Sequence, residues 1–424
     1  MIPILIVLFF TLMFTGMPIA IAIGGSAIIT LVIQGNIPLM VAPQRVFVML
    51  DSFPLMAVPL FILAGEVMLR GGVAQKLVNF SQALVGHIRG SHAHVTIVSS
   101  MFFSSVSGSA AASCSAIGST MIPSMIKEKY DKDYIVAVLA NASTLGPIIP
   151  PSVMMVIYGS MAGVSVGQMF LGGFIPGFMF VVGMMILSYI IALKRNYKIY
   201  KRSNVKEVFI AFKEAIWALI MPVIILGGIM LGVFTPTEAG AVAVLYGFVL
   251  GFANGNIKIR DLKPIFYRAA LATTIPMLII GIAAPFGWLL TINNFSGIMG
   301  SFIYGITEDP LVFMAIVVAF YLIIGFFIEA NAALIIMVPV LAPMALSYGI
   351  DPVHFGVVSI IALVLGAVTP PVGILLFIAS SLADVKVGET LKLVMAFVLL
   401  LAVLTFVFAL VPQIILWLPT LVMR

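Results

Sequence analysis

Charged residues and cysteine are scarce in this chain. Only 8% of the 424 residues are charged, 62% are hydrophobic, and the mean hydropathy is +1.25. No water-soluble fold buries so large an apolar fraction. The single cysteine, Cys114, excludes an intrachain disulfide. Because the apolar stretches are long and do not alternate as barrel strands do, the composition indicates a helical polytopic membrane protein.

The sequence also lacks the motifs of several enzyme classes. It contains no Gly-x-x-x-x-Gly-Lys phosphate loop, no His-Glu-x-x-His zinc motif and no Gly-x-Ser-x-Gly nucleophile motif. His87, His92 and His94 are predicted to lie in a loop at the membrane surface. We therefore expect a protein that is not an enzyme and does not hydrolyse ATP, so its energy must come from an ion gradient or from elsewhere.

Lysine and arginine are confined to short segments between apolar stretches. One basic loop covers 194–213 and another covers 258–268, with two apolar spans between them. The positive-inside rule places both loops, and the mixed-charge segment 127–133, in the cytoplasm. The net charge of +6 is thus a membrane signature and does not indicate a nucleic-acid partner. Since no charged region precedes the first apolar run, the N-terminus is predicted to be a span and not a cleaved signal.

One short pattern occurs twice. Leu145-Gly146 followed by Pro150-Pro151 recurs 220 residues later as Leu365-Gly366 followed by Pro370-Pro371. A Pro-Pro pair cannot continue a helix, and a break inside a membrane is tolerated only where the freed backbone lines a protein cavity. Paired breaks in two halves of a chain are typical of a transport site.

The duplication predicts two repeats. The first would cover 1–213, with a re-entrant hairpin at about 93–125 and a broken helix at about 134–159. The second would cover 214–424, with a hairpin at about 311–347 and a broken helix at about 353–384. Basic residues flank the first hairpin and acidic residues flank the second, so the two are expected to enter from opposite sides. The predicted fold is an all-α polytopic membrane protein with inverted-topology repeats and two re-entrant helical hairpins.

Polar residues gather at the predicted tips and breaks. Ser105, Ser107 and Ser109 mark the first tip, and hydroxyl and carbonyl oxygens suit a hard, partly dehydrated cation. The alternative is that small residues only let helices approach closely. Ser152 follows the first break, where the start of a half-helix would face an anion favourably or would simply be capped.

Glu329 and Asn331 interrupt the second predicted hairpin. An acid inside an apolar run is costly and is therefore a functional candidate, with a sodium ion, a proton or a polar substrate as its partner. Glu66, near a membrane edge, and Glu238, in a helix-start pattern after Pro236, are interpreted as structural. Thr369 and Gly366 stand at the second break.

Four sequence motifs together resemble the large membrane subunit of the tripartite ATP-independent periplasmic (TRAP) transporters, over nearly the whole chain. These motifs are Ser105 to Ala112, Gly146 to Ser152, Gly172 to Gly177 and Gly366 to Gly373. The resemblance implies a sodium-driven elevator in the bacterial inner membrane. It would import an organic acid, such as sialic acid or a C4-dicarboxylate, that a periplasmic substrate-binding protein delivers. A small four-helix membrane subunit would be a separate polypeptide.

The resemblance also implies positions for the bound species. One sodium ion would lie between the first tip and the first break, at Ser105, Ser109, Asn141, Gly146 and Pro150. A second would lie at Asn331, Gly366 and Thr369. Substrate would lie between the tips, at Ser107, Ser152 and Glu329. An acid there would accept hydrogen bonds from a polyhydroxylated substrate.

Three alternatives remain open. Protons could replace sodium through Glu329. The oxygen-lined breaks could form the filter of a channel, although two inverted repeats and the lack of a continuous polar stripe disfavour it. An intramembrane enzyme with Ser107 or Ser109 as nucleophile would lack a nearby base.

Overall fold

The computed structural model describes residues 1–371 and 373–423, and the regular structure of these residues is helical throughout. The first ten α-helices are α1 (Ile2–Phe14), α2 (Ile19–Gln34), α3 (Val41–Leu50), α4 (Ala57–Arg70), α5 (Val73–Val85), α6 (Ser91–Ser107), α7 (Ala110–Lys127), α8 (Lys132–Ser143), α9 (Val153–Ala162) and α10 (Val166–Lys194). The others are α11 (Val205–Met230), α12 (Pro236–Ala253), α13 (Ile259–Ile292), α14 (Phe295–Tyr304), α15 (Pro310–Gly325), α16 (Ala330–Ser347), α17 (Pro352–Gly366), α18 (Ile374–Ala383), α19 (Val387–Leu410) and α20 (Gln413–Val422). A 3₁₀ turn, Phe53–Met56, leads into α4.

Seven of the described helical segments are long and apolar enough to cross a membrane. They are Phe53–Arg70, Val166–Lys194, Val205–Met230, Pro236–Ala253, Ile259–Ile292, Ala330–Ser347 and Val387–Leu410. Large apolar side chains cover the outer surface, as lipid contact requires. The predicted all-α polytopic membrane fold is confirmed.

One predicted boundary was wrong, and two long apolar stretches of the sequence are divided. Residues 3–33 and 393–418 each form two helices, because Pro18 and Pro412 stand at the N-caps of α2 and α20. The second basic segment is mostly not a loop, since α13 already begins at Ile259 and carries the rest of its basic residues. Glu238 closes a capping box with Thr235 at the start of α12, as predicted.

Two helical hairpins occupy the predicted positions. The first is α6–α7, which turns at Gly108 and Ser109, and the second is α15–α16, which turns at 326–329. The first begins at Ser91, so His92 and His94 lie buried in its first turn and not in a loop. Their Nε2 atoms lie 3.1 Å from Ser124 Oγ and from the Arg89 carbonyl oxygen, respectively. These are structural hydrogen bonds at the base of the hairpin.

Helices in the two halves recur at the offset seen in the sequence. The second arm of the first hairpin, Ala110–Lys127, has its counterpart 220 residues later in Ala330–Ser347. Gly35 and Gly255, which follow α2 and α12, both adopt left-handed φ values, 66° and 67°. One difference stands out: α3 and α4 are separated by a turn at Asp51, whereas α13 runs unbroken. The repeat boundaries at 213 and 214 stay a prediction.

The two halves pack across each other at the breaks. Helix α9 of the first half contacts α16 of the second hairpin, and α18 of the second half contacts α7 of the first. Helix α4 packs against α12, and α13 packs against α2, α3 and α4. These contacts between the two halves bring both hairpin tips and both breaks to the middle of the molecule, where they face α4 and α13.

Candidate substrate and cation site

A cavity of about 570 Å³ lies between the two hairpin tips and helices α4 and α13. We call it the central cavity. The first tip contributes Ser107 to Ala112, and the second contributes Glu329 to Asn331. The opposite wall, which we call the α4–α13 wall, includes Glu66 on α4 and Arg268 on α13. Both sequence-predicted tips therefore line one space of a size that suits a small organic molecule.

The first tip rests directly on the first break, backbone against backbone. A methyl group at Gly146 would lie 2.7 Å from the Ser109 carbonyl oxygen, and one at Gly108 would lie 2.7 Å from the Pro151 carbonyl oxygen. Gly108 also has a left-handed φ of 61°, which other L residues rarely adopt. Since α6 ends at Ser107, its last carbonyl groups have no donors within the helix. The contact between the first tip and the first break thus brings several carbonyl oxygens close together.

Asn141 lies one turn before this break and is completely buried. Its Nδ2 donates to the Ala137 carbonyl oxygen at 2.9 Å, while its Oδ1 is buried and has no hydrogen-bond donor among the described residues. A buried amide oxygen without a partner is costly and calls for a ligand. A cation would satisfy it.

Two residues assigned to the first sodium site face elsewhere. Ser105 and Pro150 line a separate apolar cavity of about 460 Å³ that also borders α10 and α11. The Ser105 hydroxyl donates to the Phe102 carbonyl oxygen at 2.7 Å, so it is already engaged within α6. The structure brings together Ser109 and Gly146 at the tip–break contact, but it does not turn the Ser105 hydroxyl toward them.

The second half repeats the close contact with a different partner. A methyl group at Gly325, the last residue of α15, would lie 2.9 Å from Gly366 Cα and from the Leu363 carbonyl oxygen. Thr369 is buried, and its hydroxyl donates to the Leu365 carbonyl oxygen at 2.9 Å. Sequence reasoning missed Gly325. Its signal was available, because a glycine at the end of an otherwise bulky apolar helix marks a close approach of backbones.

Asn331 belongs with Glu329 at the second tip. Its Nδ2 donates to Glu329 Oε1 at 2.6 Å, and Glu329 Oε2 accepts the Ala332 backbone N–H at 3.0 Å as the N-cap of α16. The Asn331 Oδ1 is buried without a donor among the described residues. Both side chains line the central cavity. The pair therefore presents fixed oxygen acceptors to whatever occupies the cavity.

The two serines assigned to substrate have different surroundings. Ser107 lines the central cavity, and its hydroxyl makes one long hydrogen bond, 3.5 Å, to the Ser109 carbonyl oxygen. Ser152 is completely buried and caps α9: its hydroxyl donates to the Pro147 carbonyl oxygen at 2.6 Å and accepts from Met155 N at 3.3 Å. Ser152 is not among the residues that line the central cavity.

Two residues of the α4–α13 wall were not predicted as site residues. Glu66, for which we expected a structural role, has a buried Oε2 with no donor among the described residues. Arg268 was assigned to a loop but lies within α13. The signal in the sequence was an arginine within an apolar helix. It was overlooked because the predicted loop extended to residue 268.

The donor set limits which ions fit. Within 1–371 and 373–423, no group of three or more His, Cys, Asp or Glu side chains is placed to hold a metal ion. Apart from the Glu329 carboxylate, the oxygens at the tips and breaks are neutral amide, hydroxyl and carbonyl groups. Such a set fits a monovalent alkali cation at an unwound helix better than a transition metal.

Two helical hairpins, two broken helices and a cavity between their tips define the class of secondary membrane transporters. The family model described as "Tripartite ATP-independent periplasmic transporter, DctM component" matches residues 6–414. The chain belongs to this family. It is an integral inner-membrane protein and a transporter permease, not an enzyme.

Curated relatives agree with this assignment. The chain is 38% identical over 414 residues to the isethionate TRAP transporter permease protein DctMQ of Oleidesulfovibrio alaskensis, covering 97% of this chain and 65% of that protein. It is 36% identical over 411 residues to the sialic acid TRAP transporter large permease protein SiaM of Vibrio cholerae, covering 97% and 96%. It is 36% identical over 441 residues to the C4-dicarboxylate TRAP transporter large permease protein DctM of Vibrio cholerae, covering 99% and 97%.

A solved structure shares the fold. The crystal structure of the Alcanivorax borkumensis YdaH transporter, which its title describes as having an unusual topology, superposes with a TM-score of 0.56 at 14% identity. The superposition covers 82% of this chain and 84% of the other. At this identity the similarity concerns the fold alone.

Proposed function

We propose that this chain is the large membrane subunit of a sodium-coupled importer of an organic acid anion, which works by an elevator movement. One observation carries the proposal: in each half a hairpin tip or arm meets a broken helix backbone to backbone, at Gly146 and at Gly366. The buried amide oxygens of Asn141, one turn before the first break, and of Asn331, at the second tip, have no donor among the described residues. Sodium ions at the two contacts would satisfy those oxygens, and the organic anion would lie between the tips.

The chemistry of coupling follows from charge. An anion cannot enter hydrocarbon unless its charge is offset, and two bound cations supply that offset. Without cations the tip carbonyls repel each other and the buried Asn141 Oδ1 lacks a partner. The substrate site is therefore well formed only when sodium is bound, which couples the two fluxes.

The partners follow from the family. The names of the relatives include sialic acid, C4-dicarboxylates and isethionate as transported species. We propose that a periplasmic substrate-binding protein delivers a related acid to this chain, and that a small four-helix membrane subunit completes the membrane part. Isethionate widens the substrate class beyond the carboxylates that the sequence suggested, since it is a hydroxylated sulfonate.

Transport by reconstituted protein tests the proposal. The chain and its small subunit are placed in proteoliposomes with purified binding protein outside, and uptake of labelled sialic acid, isethionate and succinate is measured. We expect uptake of one acid that needs both an inward sodium gradient and the binding protein. Uptake that persists without sodium and follows a proton gradient would contradict sodium coupling and favour proton coupling through Glu329.

A further inference from the structure

The α4–α13 wall of the central cavity carries charges that the proposed sodium sites do not use. Arg268, Glu66 and, across the cavity, Glu329 line the same space. Both ion pairs found among the described residues belong to Arg195, so none of these three is neutralised by a direct ion pair. One positive and two negative side chains therefore face the cavity.

Arg268 is the cationic side chain among the described residues that line this cavity. A guanidinium has five donors in a planar fork that matches a carboxylate or a sulfonate. It is well suited to hold the acidic group of a transported anion.

Glu66 stands on the neighbouring helix of the same wall. Arg268 and Arg70 are the positive charges that act on its carboxylate, yet its Oε2 is buried and has no donor. A buried carboxylate oxygen without a donor is expensive. A hydroxyl or amide hydrogen of a bound molecule would satisfy it, whereas a second carboxylate would be repelled.

Taking the proposed function as its basis, we propose that Arg268 binds the acidic group of the transported anion, while Glu66 and Glu329 accept hydrogen bonds from its neutral end. The cavity thereby selects a monoanion rich in hydroxyl or amide donors. It discriminates against dicarboxylates, because one arginine cannot compensate two acidic groups beside two glutamates.

One end of the α4–α13 wall can also be placed relative to the membrane. The Asn256 side chain donates to the Gly71 carbonyl oxygen at 2.7 Å, which joins the end of α4 to the segment just before α13. That segment carries Lys258 and precedes Arg260, so the positive-inside rule places this end of the wall in the cytoplasm. Arg268 then contacts the anion on the side from which it is released.

Direct binding to the purified complex of this chain and its small subunit tests the inference without the selectivity of the binding protein. Affinities for sialic acid, isethionate and succinate are measured in saturating sodium and again without sodium. We expect the wild type to bind one of the two monoanions at least about tenfold more tightly than succinate. Arg268→Gln should lose about tenfold or more of that affinity, and Arg268→Lys less. Glu66→Gln should reduce the ratio between the affinity for this monoanion and the affinity for succinate.

Arg260→Gln is the matched control, because it removes the same charge from the same helix at an exposed position outside the cavity. Stabilisation of each variant by sodium reports that it is folded. If Arg268→Gln binds all three acids as the wild type does, or if succinate binds most tightly, the inference is overturned while the proposed function stands. If the wild type binds none of the acids in a sodium-dependent manner, the proposed function fails as well.

Discussion

At the scale of single residues, the structure distinguishes side-chain oxygens that have a hydrogen-bond partner from those that have none among the described residues. The hydroxyls of Ser105 and Ser152 have local partners, whereas the amide oxygens of Asn141 and Asn331 have none among the described residues. A ligand stabilises a site most where it satisfies a buried group that is otherwise unpaired. The two asparagines are therefore the side chains to test first.

Replacing Asn141 by alanine removes one oxygen of the first proposed cation site. A hydrogen bond or ligand contact to a charged partner contributes about 1.5–3 kcal/mol, so we expect sodium affinity to fall by about tenfold or more. The measurement is the sodium concentration that gives half-maximal transport. Asn79→Ala is the control, because Asn79 is exposed and contacts Gln75 only at the surface. An unchanged sodium dependence in Asn141→Ala would remove this residue from the site.

Gly146 tests the closeness of the tip and the break. A methyl group there would lie 2.6 Å from Ala110 N, so Gly146→Ala must push the tip away. Overpacking of this kind costs about 1–3 kcal/mol, and we expect a lower melting temperature together with loss of sodium-dependent transport. Gly388→Ala meets no atom within 4 Å and should melt like the wild type. Full transport by Gly146→Ala would show that the contact is not needed.

At the scale of elements, Ser152 separates a capping role from a substrate-binding role. Its hydroxyl accepts from Met155 N at the first turn of α9, and loss of such a cap costs about 0.5–2 kcal/mol. We therefore expect Ser152→Ala to lower the melting temperature while the substrate KM changes less than about twofold. A large rise in KM at unchanged stability would restore Ser152 to the substrate site.

The turn between α7 and α8 is tied to the segment after α10. Arg195 forms ion pairs of 2.8 Å with Asp131 and Asp133, and the Tyr200 hydroxyl donates to Glu128. This hydrogen bond holds the pKa of Glu128 below its usual 4.5. Its contribution to stability is thus present above about pH 4.5 and disappears as pH falls through the lowered pKa. Tyr200→Phe should weaken the acid dependence of the melting temperature measured between pH 3.5 and 7, and an unchanged pH profile would contradict this role.

At the scale of the whole molecule, the proposed elevator movement requires the hairpin tips to slide past α4. Gly65 of α4 packs against Ser107: a Cβ at Gly65 would lie 3.6 Å from Ser107 Cβ, within the range that a disulfide spans. With Cys114 replaced by serine, the double variant Gly65→Cys and Ser107→Cys should cross-link on oxidation. We expect transport to stop on oxidation and to return on reduction. The oxidised and reduced samples of the same preparation are compared with each other. Full transport by the cross-linked protein would exclude movement of this tip relative to α4.

The sequence predicted most of the helical framework because its signals are local. Long apolar runs, proline at breaks and caps, and the 220-residue repeat of Gly146 as Gly366 are properties of neighbouring residues. It misplaced helix starts at Ser91 and Ile259, because capping residues and the first turn of a membrane helix are as polar as a loop. That error is what placed Arg268 outside the membrane domain.

By itself, then, the sequence determined that this is a helical membrane transporter of the TRAP family with duplicated broken helices, since backbone polarity in hydrocarbon leaves few other solutions. The tertiary structure alone decided which oxygens are unsatisfied, that Ser152 is a cap, that Gly325 meets Gly366, and that Arg268 and Glu66 share a cavity with Glu329. Those facts depend on contacts between residues that are distant in the chain, which no local pattern encodes.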